Sequence, residues 1–438
     1  MDRGSLLEHG RRWFEQQGWQ PFPFQLEAWE AHLSGEHGLV NAPTGSGKTF
    51  ALFLPILLEG LQPNFEASGL QALWITPIRA LAKDICSAGQ RAAAGLGLDW
   101  QVAIRSGDTG STERARQKKK PPQVLITTPE SLHLLLASKK YEHFFRNLRT
   151  VVVDEWHELM GSKRGVRVEL ALSRLKGFLP TLRIWGISAT IGNMEESMAV
   201  LLGSSLQTAR HRMIRADIEK DIEVVCVMPD EIERFPWAGH LGIRLLQKVL
   251  PIIQSSKTTL IFTNTRAQCE IWYQNLLAIE PELAGIMAMH HGSISRELRD
   301  WVENALHEEQ LKVVVCTSSL DLGVDFRPVE TIVQIGSPKG VARFVQRAGR
   351  SGHQPGALSR IYFVPTHSLE LIEAAALRAG IRQKVVEDRV PYIRSFDVLI
   401  QYLVTLAVSD GFVPDEIWVE VTTTFCYQSI SREEWAWV

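Results

Sequence analysis

The chain has 438 residues, too many for one ordinary hydrophobic core, so two or three domains are expected. Its hydrophobic content of 45%, charged content of 22% and net charge of −2 are typical of a soluble globular protein without an overall basic field. Five widely separated cysteines with no Cys-x-x-Cys pair argue against a zinc or iron–sulfur centre and a disulfide framework. The polar N-terminus and the short apolar runs predict neither a signal peptide nor a membrane span, so we expect a cytoplasmic protein.

Two series of short apolar runs alternate with helical patterns along the chain. The runs lie at 39–42, 72–77, 102–104, 124–128, 150–155 and 184–188, and then at 259–264, 286–290, 312–317, 331–336 and 360–365. Runs that are apolar on both faces predict parallel sheets covered on both sides, hence two α/β domains. We expect domains at 1–205 and 206–390, an irregular stretch near 204–255, and a helical segment at 391–438. The chain ends in mid-helix without a C-cap signal, which suggests truncation.

The segment NAPTGSGKTF, residues 41–50, follows the first predicted strand and precedes a helix. In this setting the pattern predicts a phosphate-binding loop, in which backbone N–H groups and a helix N-terminus face phosphate oxygens. Glycines permit the tight turn, Lys48 brings a positive charge to the β- and γ-phosphates, and the Thr49 hydroxyl is a ligand for Mg²⁺. The predicted phosphate-binding residues are Thr44, Gly45, Ser46, Gly47, Lys48 and Thr49.

The stretch VVVDEWHELM, residues 151–160, is an apolar strand that ends in two acids. It does not form a zinc-binding helix of the His-Glu-x-x-His type, because Gly161 stands where the second histidine is needed. Downstream of a phosphate-binding loop it predicts a Walker B element. Asp154 would hold Mg²⁺ through its water shell and Glu155 would act as general base toward the attacking water. Two solvated carboxylates at a strand end are the alternative.

With both elements present, residues 19–353 resemble a superfamily-two DExH-box helicase. The remaining motifs follow in order: WQPFPFQ (19–25) resembles the Q motif, TPIRALAKD (76–84) motif Ia, SGDT (106–109) motif Ib, TTPESL (127–132) the segment after it, SAT (188–190) motif III, LIFTNTR (260–266) motif IV, CTSSLDLGVDF (316–326) motif V and QRAGRSGH (346–353) motif VI. The resemblance implies two tandem RecA-like domains that bind Mg²⁺ and ATP between them. It also implies that the start of a winged-helix module follows them.

The resemblance assigns roles to further residues near the nucleotide. By position in the motifs, these are Gln25, Gly323, Asp325, Gln346, Arg347 and Arg350. Gln25 would read the adenine edge, and Arg350 stands where the family carries its arginine finger, a charge that phosphoryl transfer needs. For Arg347 a structural salt bridge is the alternative. His157, Ser188 and Thr190 would couple the nucleotide state to the nucleic-acid groove.

The other motifs are expected to line a groove for nucleic acid. Short donors and guanidinium groups suited to phosphate oxygens lie at Thr76, Arg79, Thr128, Thr263, Arg266 and Thr317. Phosphate contacts carry no sequence code, as a translocating motor requires. Helix capping is the alternative for the serines and threonines at strand ends. The lysine run at 118–120 is expected in a solvated loop, with a duplex contact as the less favoured interpretation.

Within the superfamily, DEWHEL, FPWAGHLG, QRAGRSGH and DVLIQYLVTLA together resemble the large helicase-related (Lhr) family, more narrowly its ligase-associated bacterial branch. This resemblance implies 3′-to-5′ movement on single-stranded DNA, unwinding of duplex DNA or DNA:RNA hybrid, a role in DNA repair, and a DNA ligase or nuclease as partner. An RNA helicase and a DNA-stimulated translocase without unwinding stay open, because backbone contacts do not separate DNA from RNA. A clamp that uses ATP only as a switch is disfavoured by Glu155 and Arg350.

Overall fold

The computed structural model describes residues 2–189, 191–218, 221–228, 242–321, 329–351 and 358–438. The chain divides into two compact units. The first comprises Met1–Ala42, Ser46–Asp217 and Asp388–Val438, and the second comprises Pro43–Gly45 and Ile218–Glu387. Each unit contains one parallel β-sheet, which confirms the predicted α/β class with two sheet domains. None of the described helices has the length and apolar character needed to cross a membrane.

The first unit is built on a seven-stranded sheet. Its strands are β1 (His37–Asn41), β2 (Ala72–Ile75), β3 (Val102–Arg105), β4 (Val124–Thr127), β5 (Thr150–Val153), β6 (Arg183–Ser188) and β7 (His211–Arg215). They lie in the order β3-β4-β2-β5-β6-β1-β7, with every neighbouring pair parallel. Strands β2, β4 and β5 are buried throughout, as runs apolar on both faces require. The residues that follow β1, β5 and β6 therefore meet along one edge of the sheet.

The helices of the first unit alternate with these strands. They are α1 (Arg3–Gln16), α2 (Pro23–Leu33), α3 (Lys48–Glu59), α4 (Arg79–Gly95), α5 (Ser111–Lys119), α6 (Pro129–Leu136), α7 (Tyr141–Phe145), α8 (Trp156–Leu159), α9 (Lys163–Phe178), α10 (Met194–Leu202) and α11 (Ser205–Thr208). Helix α3, which follows the phosphate-binding loop, is apolar nearly all round and deeply buried. The ring of Phe53 on this helix lies 5.4 Å from that of Trp74 on β2, which fixes the helix against the sheet.

The second unit is built on a six-stranded parallel sheet. Its strands are β8 (Ile222–Cys226), β9 (Thr259–Phe262), β10 (Met287–His290), β11 (Val313–Cys316), β12 (Thr331–Ile335) and β13 (Ser359–Val364), in the order β10-β11-β9-β12-β13-β8. Its helices are α12 (Leu246–Ser255), α13 (Arg266–Ile279), α14 (Arg296–His307), α15 (Val341–Ala348) and α16 (Leu369–Gln383). Short 3-10 turns occur at Ile243–Leu245, Pro281–Leu283 and Ser318–Leu320. Trp272 of α13 is fully buried in the core of this unit.

Two strands, β7 and β8, fall in the stretch that was expected to be irregular. Each is the last strand at one edge of its sheet, β7 beside β1 and β8 beside β13. Both are partly exposed and carry polar residues, so they lack the double-sided apolar pattern of central strands. Because β7 pairs with β1, the first sheet extends past the expected domain boundary at residue 205.

The C-terminal segment packs on the first unit. It contains α17 (Phe396–Val408), α18 (Pro414–Thr422) and α19 (Arg432–Trp437). Val398 and Tyr402 of α17 form one buried cluster with Val166 and Leu170 of α9. Helix α9 begins shortly after the DExH residues, so the C-terminal segment is anchored to the helix next to the Walker B element.

A buried carboxyl, Glu169, lies in this interface. Its Oε2 accepts the backbone N–H of Cys426 at 2.9 Å, and burial raises the pKa of Glu169 to about 8. A carboxyl with a raised folded-state pKa stabilises the fold below its unfolded value of 4.5, and this stabilisation is lost as the pH rises toward 8.

We therefore expect Glu169→Gln to flatten the pH dependence of stability, because the amide resembles the protonated acid and does not ionise. As the pH is raised from mildly acidic to mildly alkaline, the wild type should lose stability that the variant keeps. The free energy of unfolding of the variant, relative to that of the wild type, should therefore gain on the order of 3 kcal/mol over this range. Denaturant unfolding across this range measures the gain. The same substitution at exposed Glu15 is the control, and parallel curves for Glu169→Gln and the wild type would contradict the prediction.

Candidate functional site

The phosphate-binding loop connects β1 to α3 and contains two glycines in the left-handed region. Gly45 has φ 81° and Gly47 has φ 74°, conformations that glycine adopts without a Cβ clash. Gly47 is the N-cap of α3, so the free N–H groups of this helix begin at Lys48. Such a loop and helix N-terminus form a ready site for phosphate oxygens. Of the other predicted loop residues, Ser46 is buried, whereas Thr44 and Thr49 are partly buried.

The Q-motif glutamine, Gln25, lies against this loop. Its Nε2 donates to the Gly47 carbonyl at 2.9 Å, and its Oε1 accepts the N–H of Phe22 at 2.9 Å. Both ends of the amide are therefore engaged by backbone, and the bond to the Phe22 N–H caps the first turn of α2. The structure thus assigns Gln25 a contact with the phosphate-binding loop, and its contact with adenine stays a prediction.

Lys48, Asp154 and Glu155 form a buried charged cluster where β1 and β5 end. Lys48 Nζ lies 3.5 Å from Glu155 Oε1. Asp154 accepts two hydrogen bonds, from Trp74 Nε1 at 3.1 Å and from the Glu155 N–H at 2.8 Å. Burial, and then the neighbouring Glu155 carboxylate, raise the pKa of Asp154 to about 7. The cluster holds two carboxyl groups and only one ammonium group away from water. This arrangement favours the binding of a further cation.

The fit of this cluster to Mg²⁺ can be judged from the donors present. In the described ranges, no group of three or more His, Cys, Asp or Glu residues is arranged to hold a metal ion by itself. Mg²⁺ is commonly held through one or two carboxylates together with waters and the oxygens of a substrate phosphate. Asp154 and the Thr49 hydroxyl lie next to the phosphate-binding loop. They therefore fit a Mg²⁺ ion whose other ligands are waters and substrate phosphate oxygens.

Glu155 adopts a backbone conformation that non-glycine residues seldom adopt. Its φ of 47° and ψ of 45° lie in the left-handed region, and it is the N-cap of the short helix α8. Such a conformation costs on the order of 1–2 kcal/mol for an L-residue with a side chain. It persists only where the surroundings hold it in place, as they do at functional sites. Here the N–H of Glu155 is held by the Asp154 carboxylate.

His157 joins this cluster to motif III. The Ala189 N–H donates to His157 Nδ1 at 3.1 Å, so this ring nitrogen is unprotonated. Burial lowers the pKa of His157 to about 4, which keeps the imidazole neutral. The Ala189 carbonyl accepts from Asn41 Nδ2 at 2.5 Å and from Ser188 Oγ at 2.9 Å. The backbone of one residue, Ala189, thus connects the ends of β1 and β6 to the DExH residues. Thr190 lies outside the described residues.

Arg347 is engaged inside the second unit. Its Nε and Nη2 donate to the two Asp321 carboxylate oxygens at 2.7 and 3.1 Å, and its Nη1 donates to Gln334 Oε1 at 2.5 Å. The guanidinium also lies 4.7 Å from the centre of the Phe262 ring. These contacts form the structural salt bridge that was the alternative for this residue. The expected position of Arg347 facing the triphosphate stays a prediction.

Asp321 also contacts two other arginines, Arg350 and Arg343. Its backbone carbonyl accepts a hydrogen bond from Arg350 Nη2 at 2.9 Å, and Arg343 Nε lies 3.4 Å from its Oδ2. Gln346 is buried on the same helix, α15. Sequence reasoning missed Asp321, although it lies within the motif V stretch. Gly323 and Asp325 lie outside the described residues.

Asp321→Ala is expected to destabilise the second unit strongly, because it leaves the buried Arg347 charge without its carboxylate. Breaking a buried pair from one side typically costs about 3–5 kcal/mol. Hydrogen exchange of the amides in β9 and β12 would localise the loss to this unit. Glu282→Ala, at an exposed acid of the same unit, is the control. Equal protection in the two variants would contradict the prediction.

The nucleic-acid candidates of the first unit are engaged locally. Thr76 is fully buried, with its hydroxyl 3.4 Å from the Ile78 carbonyl. Thr128 is the N-cap of α6, the capping role that was weighed for it. Arg79 is largely exposed and pairs with Asp108 of motif Ib at 2.8 Å. Motifs Ia and Ib are therefore brought together, and Arg79 is the member with an accessible guanidinium.

The candidates of the second unit show the same division. The Thr263 hydroxyl is buried and donates to the Cys316 carbonyl at 3.0 Å. Arg266 is exposed at the start of α13 and pairs with Glu270 at 2.7 Å. Thr317 is partly buried and precedes a 3-10 turn. An exposed surface pair contributes little stability, so such an arginine is readily available to a phosphate.

Protein-family models match segments of both sheet units and the C-terminal segment. The model for DEAD/DEAH box helicases matches residues 22–197, the helicase conserved C-terminal domain matches 242–354, and the winged helix domain of large helicase-related proteins matches 379–438. The ATP-dependent helicase Lhr-Core of Methanothermobacter thermautotrophicus is 37% identical over 421 residues, which are 92% of this chain and 48% of the relative. The chain belongs to the Lhr helicase family. The Lhr helicase/uracil glycosylase of Escherichia coli is 32% identical, covering 96% of this chain and 31% of that protein.

A solved Lhr structure shares the fold. The Mycobacterium smegmatis helicase Lhr, bound to ssDNA and AMP-PNP, has a TM-score of 0.86 and 31% identity, over 98% of this chain and 56% of that one. The likeness confirms the two predicted RecA-like sheet domains and the helical C-terminal segment of winged-helix type. This chain spans about half the length, or less, of the curated Lhr relatives described above.

Proposed function

We propose that this chain is the motor part of an Lhr-type helicase, which hydrolyses ATP to move along single-stranded DNA. The observation that carries the proposal is the buried cluster of Lys48, Asp154 and Glu155 beside the phosphate-binding loop. A buried acid pair beside a phosphate-binding lysine suits a reaction in which charge moves between phosphate oxygens and water. The Mycobacterium smegmatis relative, bound to ssDNA and AMP-PNP, supports the choice of ligands.

In this proposal each residue of the cluster has a distinct task. The N–H groups at the start of α3 and the Lys48 ammonium bind the phosphates of ATP. Asp154 and Thr49 hold Mg²⁺, which when bound neutralises charge on the phosphate oxygens. Glu155 takes the proton of the attacking water. Arg350 of motif VI stabilises the charge that develops on the transferred phosphoryl group.

Coupling to DNA is proposed to pass through Ala189. Its N–H donates to His157, and its carbonyl accepts from Asn41 and Ser188. A structural change at the nucleotide site would therefore be transmitted to motif III through these hydrogen bonds. The exposed Arg79 and Arg266 are proposed to exchange their carboxylate partners for DNA phosphates. Such exchange gives the sequence-independent grip that a translocating motor needs.

The finer assignments rest on family resemblance. They are 3′-to-5′ movement, unwinding of duplex DNA and DNA:RNA hybrid, membership of the ligase-associated branch, and a cytoplasmic role in DNA repair with a ligase or nuclease partner. Strand displacement tests the first two directly. We expect ATP-dependent release of a labelled strand from a duplex with a 3′ single-stranded tail, and none from the same duplex with a 5′ tail.

Two further substrates separate the competing functions. A 3′-tailed hybrid whose displaced strand is RNA should also be unwound, and single-stranded DNA should compete better than RNA of equal length. Better competition by RNA would show that the chain is an RNA helicase and not a DNA helicase. ATP hydrolysis stimulated by DNA without any strand release would leave a translocase that does not unwind.

A further inference from the structure

A basic pocket of about 560 Å³ lies in the first unit, apart from the nucleotide site. Its cationic lining residues are Lys118, Lys119, Lys120, Lys139, Lys140 and Arg146. No Asp or Glu belongs to the lining that the structure describes. The pocket is therefore a concentrated positive charge on a chain whose net charge is −2. Its volume falls within the range of about 300–1,000 Å³ that is common for ligand sites.

The pocket is at the opposite edge of the sheet from the ATP site. Its walls include residues one to three positions before β2, β4 and β5, namely Leu70, Gln123 and Asn147. The residues of the nucleotide site come after β1, β5 and β6 instead. Because these strands are parallel and at least four residues long, the two edges are separated by about 13 Å. The pocket is thus distinct from the nucleotide site.

The lysines of the pocket are not neutralised by the protein. All five are exposed, and in the described structure their ammonium groups form no ion pair or hydrogen bond with other residues. The backbone around them is fixed: the Lys140 N–H donates to Asp410 at 2.7 Å, and Asn147 donates to the Ser68 carbonyl at 2.7 Å. Like charges held on two walls of one concavity repel each other, and a bound polyanion relieves that repulsion.

We propose that this basic pocket binds the phosphate backbone of a nucleic-acid segment that lies outside the motor track. Lysine ammonium groups act as point charges for phosphate and need no fixed angle. A protein partner is disfavoured, because lysine is depleted in protein–protein interfaces and the aromatic residues that such interfaces use, Tyr141 and Phe144, are buried here. The choice of nucleic acid rests on the proposed function, whereas the anion site itself does not.

The test compares two variants that lose the same charge. One is Lys118→Ala/Lys119→Ala/Lys120→Ala in the pocket. The other is Arg3→Ala/Arg11→Ala/Arg91→Ala, three exposed residues elsewhere in the first unit. Binding of a short DNA duplex and of a single strand is measured without ATP over a series of salt concentrations. Each lysine that contacts a phosphate should lower the slope of log K against log salt by about 1.

We expect the pocket variant to lose about 2 to 3 from this slope on at least one of the two DNA forms, and the arginine variant less than 1. ATP binding and hydrolysis without DNA should be unchanged in both variants, since neither touches the nucleotide site. Equal slopes in the wild type and the pocket variant would overturn the proposal and leave the pocket to an acidic protein or to solvent. Because no ATP is present, this result is independent of whether the chain is a motor.

Discussion

Glu155→Gln is expected to lower kcat for ATP hydrolysis by about 10²- to 10⁴-fold while the protein still binds ATP. The amide has the size of the carboxylate but takes no proton from water. It also removes the negative charge that helps to raise the pKa of Asp154, so Asp154 becomes a better anionic ligand. Binding of ATP should therefore be kept or strengthened while turnover is lost. Steady-state hydrolysis together with equilibrium binding of a fluorescent ATP analogue measures both effects.

Glu158→Gln is the matched control for this substitution. Glu158 is on helix α8, of which Glu155 is the N-cap, and its Oε1 lies 3.6 Å from His157 Nε2. It does not take part in the ion pair that Glu155 forms with Lys48. It should keep turnover within a few-fold of the wild type. If Glu155→Gln turned over ATP as fast as Glu158→Gln, Glu155 would not be the general base.

Arg350→Ala should reduce kcat by about 10³-fold or more, the effect of removing an arginine that stabilises phosphoryl transfer. The free energy of unfolding should change much less than in a variant of Arg347, although the two side chains lie one helical turn apart. Arg347 is bound by both oxygens of Asp321, whereas Arg350 donates to the carbonyl of that residue. Arg347 is thus expected to contribute more to the stability of the fold, whereas Arg350 is proposed to act in the reaction.

Arg347→Ala is the variant with which the stability and the turnover of Arg350→Ala are compared. It should lower the free energy of unfolding by about 3–5 kcal/mol, because the buried Asp321 carboxylate loses its two-point partner and keeps only the more distant, partly exposed Arg343. Urea unfolding and single-turnover hydrolysis of both variants separate the two effects. A stability loss in Arg350→Ala as large as in Arg347→Ala, with no separate loss of turnover, would refute the assignment.

The phosphate-binding loop and the Walker B element could be predicted because each is local in sequence. A strand, a glycine-containing loop and a helix follow one another directly in residues 37–59. Likewise, four buried residues end in Asp154 and Glu155. In such segments the chain order fixes which atoms meet. The parallel sheets follow for the same reason, since their central strands are apolar on both faces.

The network around Arg347 could not be predicted in the same way. Its partners Asp321 and Gln334 come from a turn after β11 and from β12, so the contact depends on how three separate segments pack. Motif position alone pointed this arginine at the triphosphate. The edge strands β7 and β8 were missed because a half-exposed strand at a sheet edge does not require an apolar run. Gln25 and Thr128 make local contacts that cap helices. The sequence alone does not show whether such a residue caps a helix or binds a ligand.

The central claim is that the buried cluster of Lys48, Asp154 and Glu155 is the ATPase centre of a motor that DNA stimulates. Steady-state ATP hydrolysis by this chain, with Mg²⁺ and with or without saturating single-stranded DNA, tests it most directly. We predict multiple turnover that is strongly stimulated by DNA and abolished in Lys48→Ala and Glu155→Gln. Turnover that persists unchanged in these two variants, or ATP that binds without being hydrolysed when DNA is present, would contradict the claim.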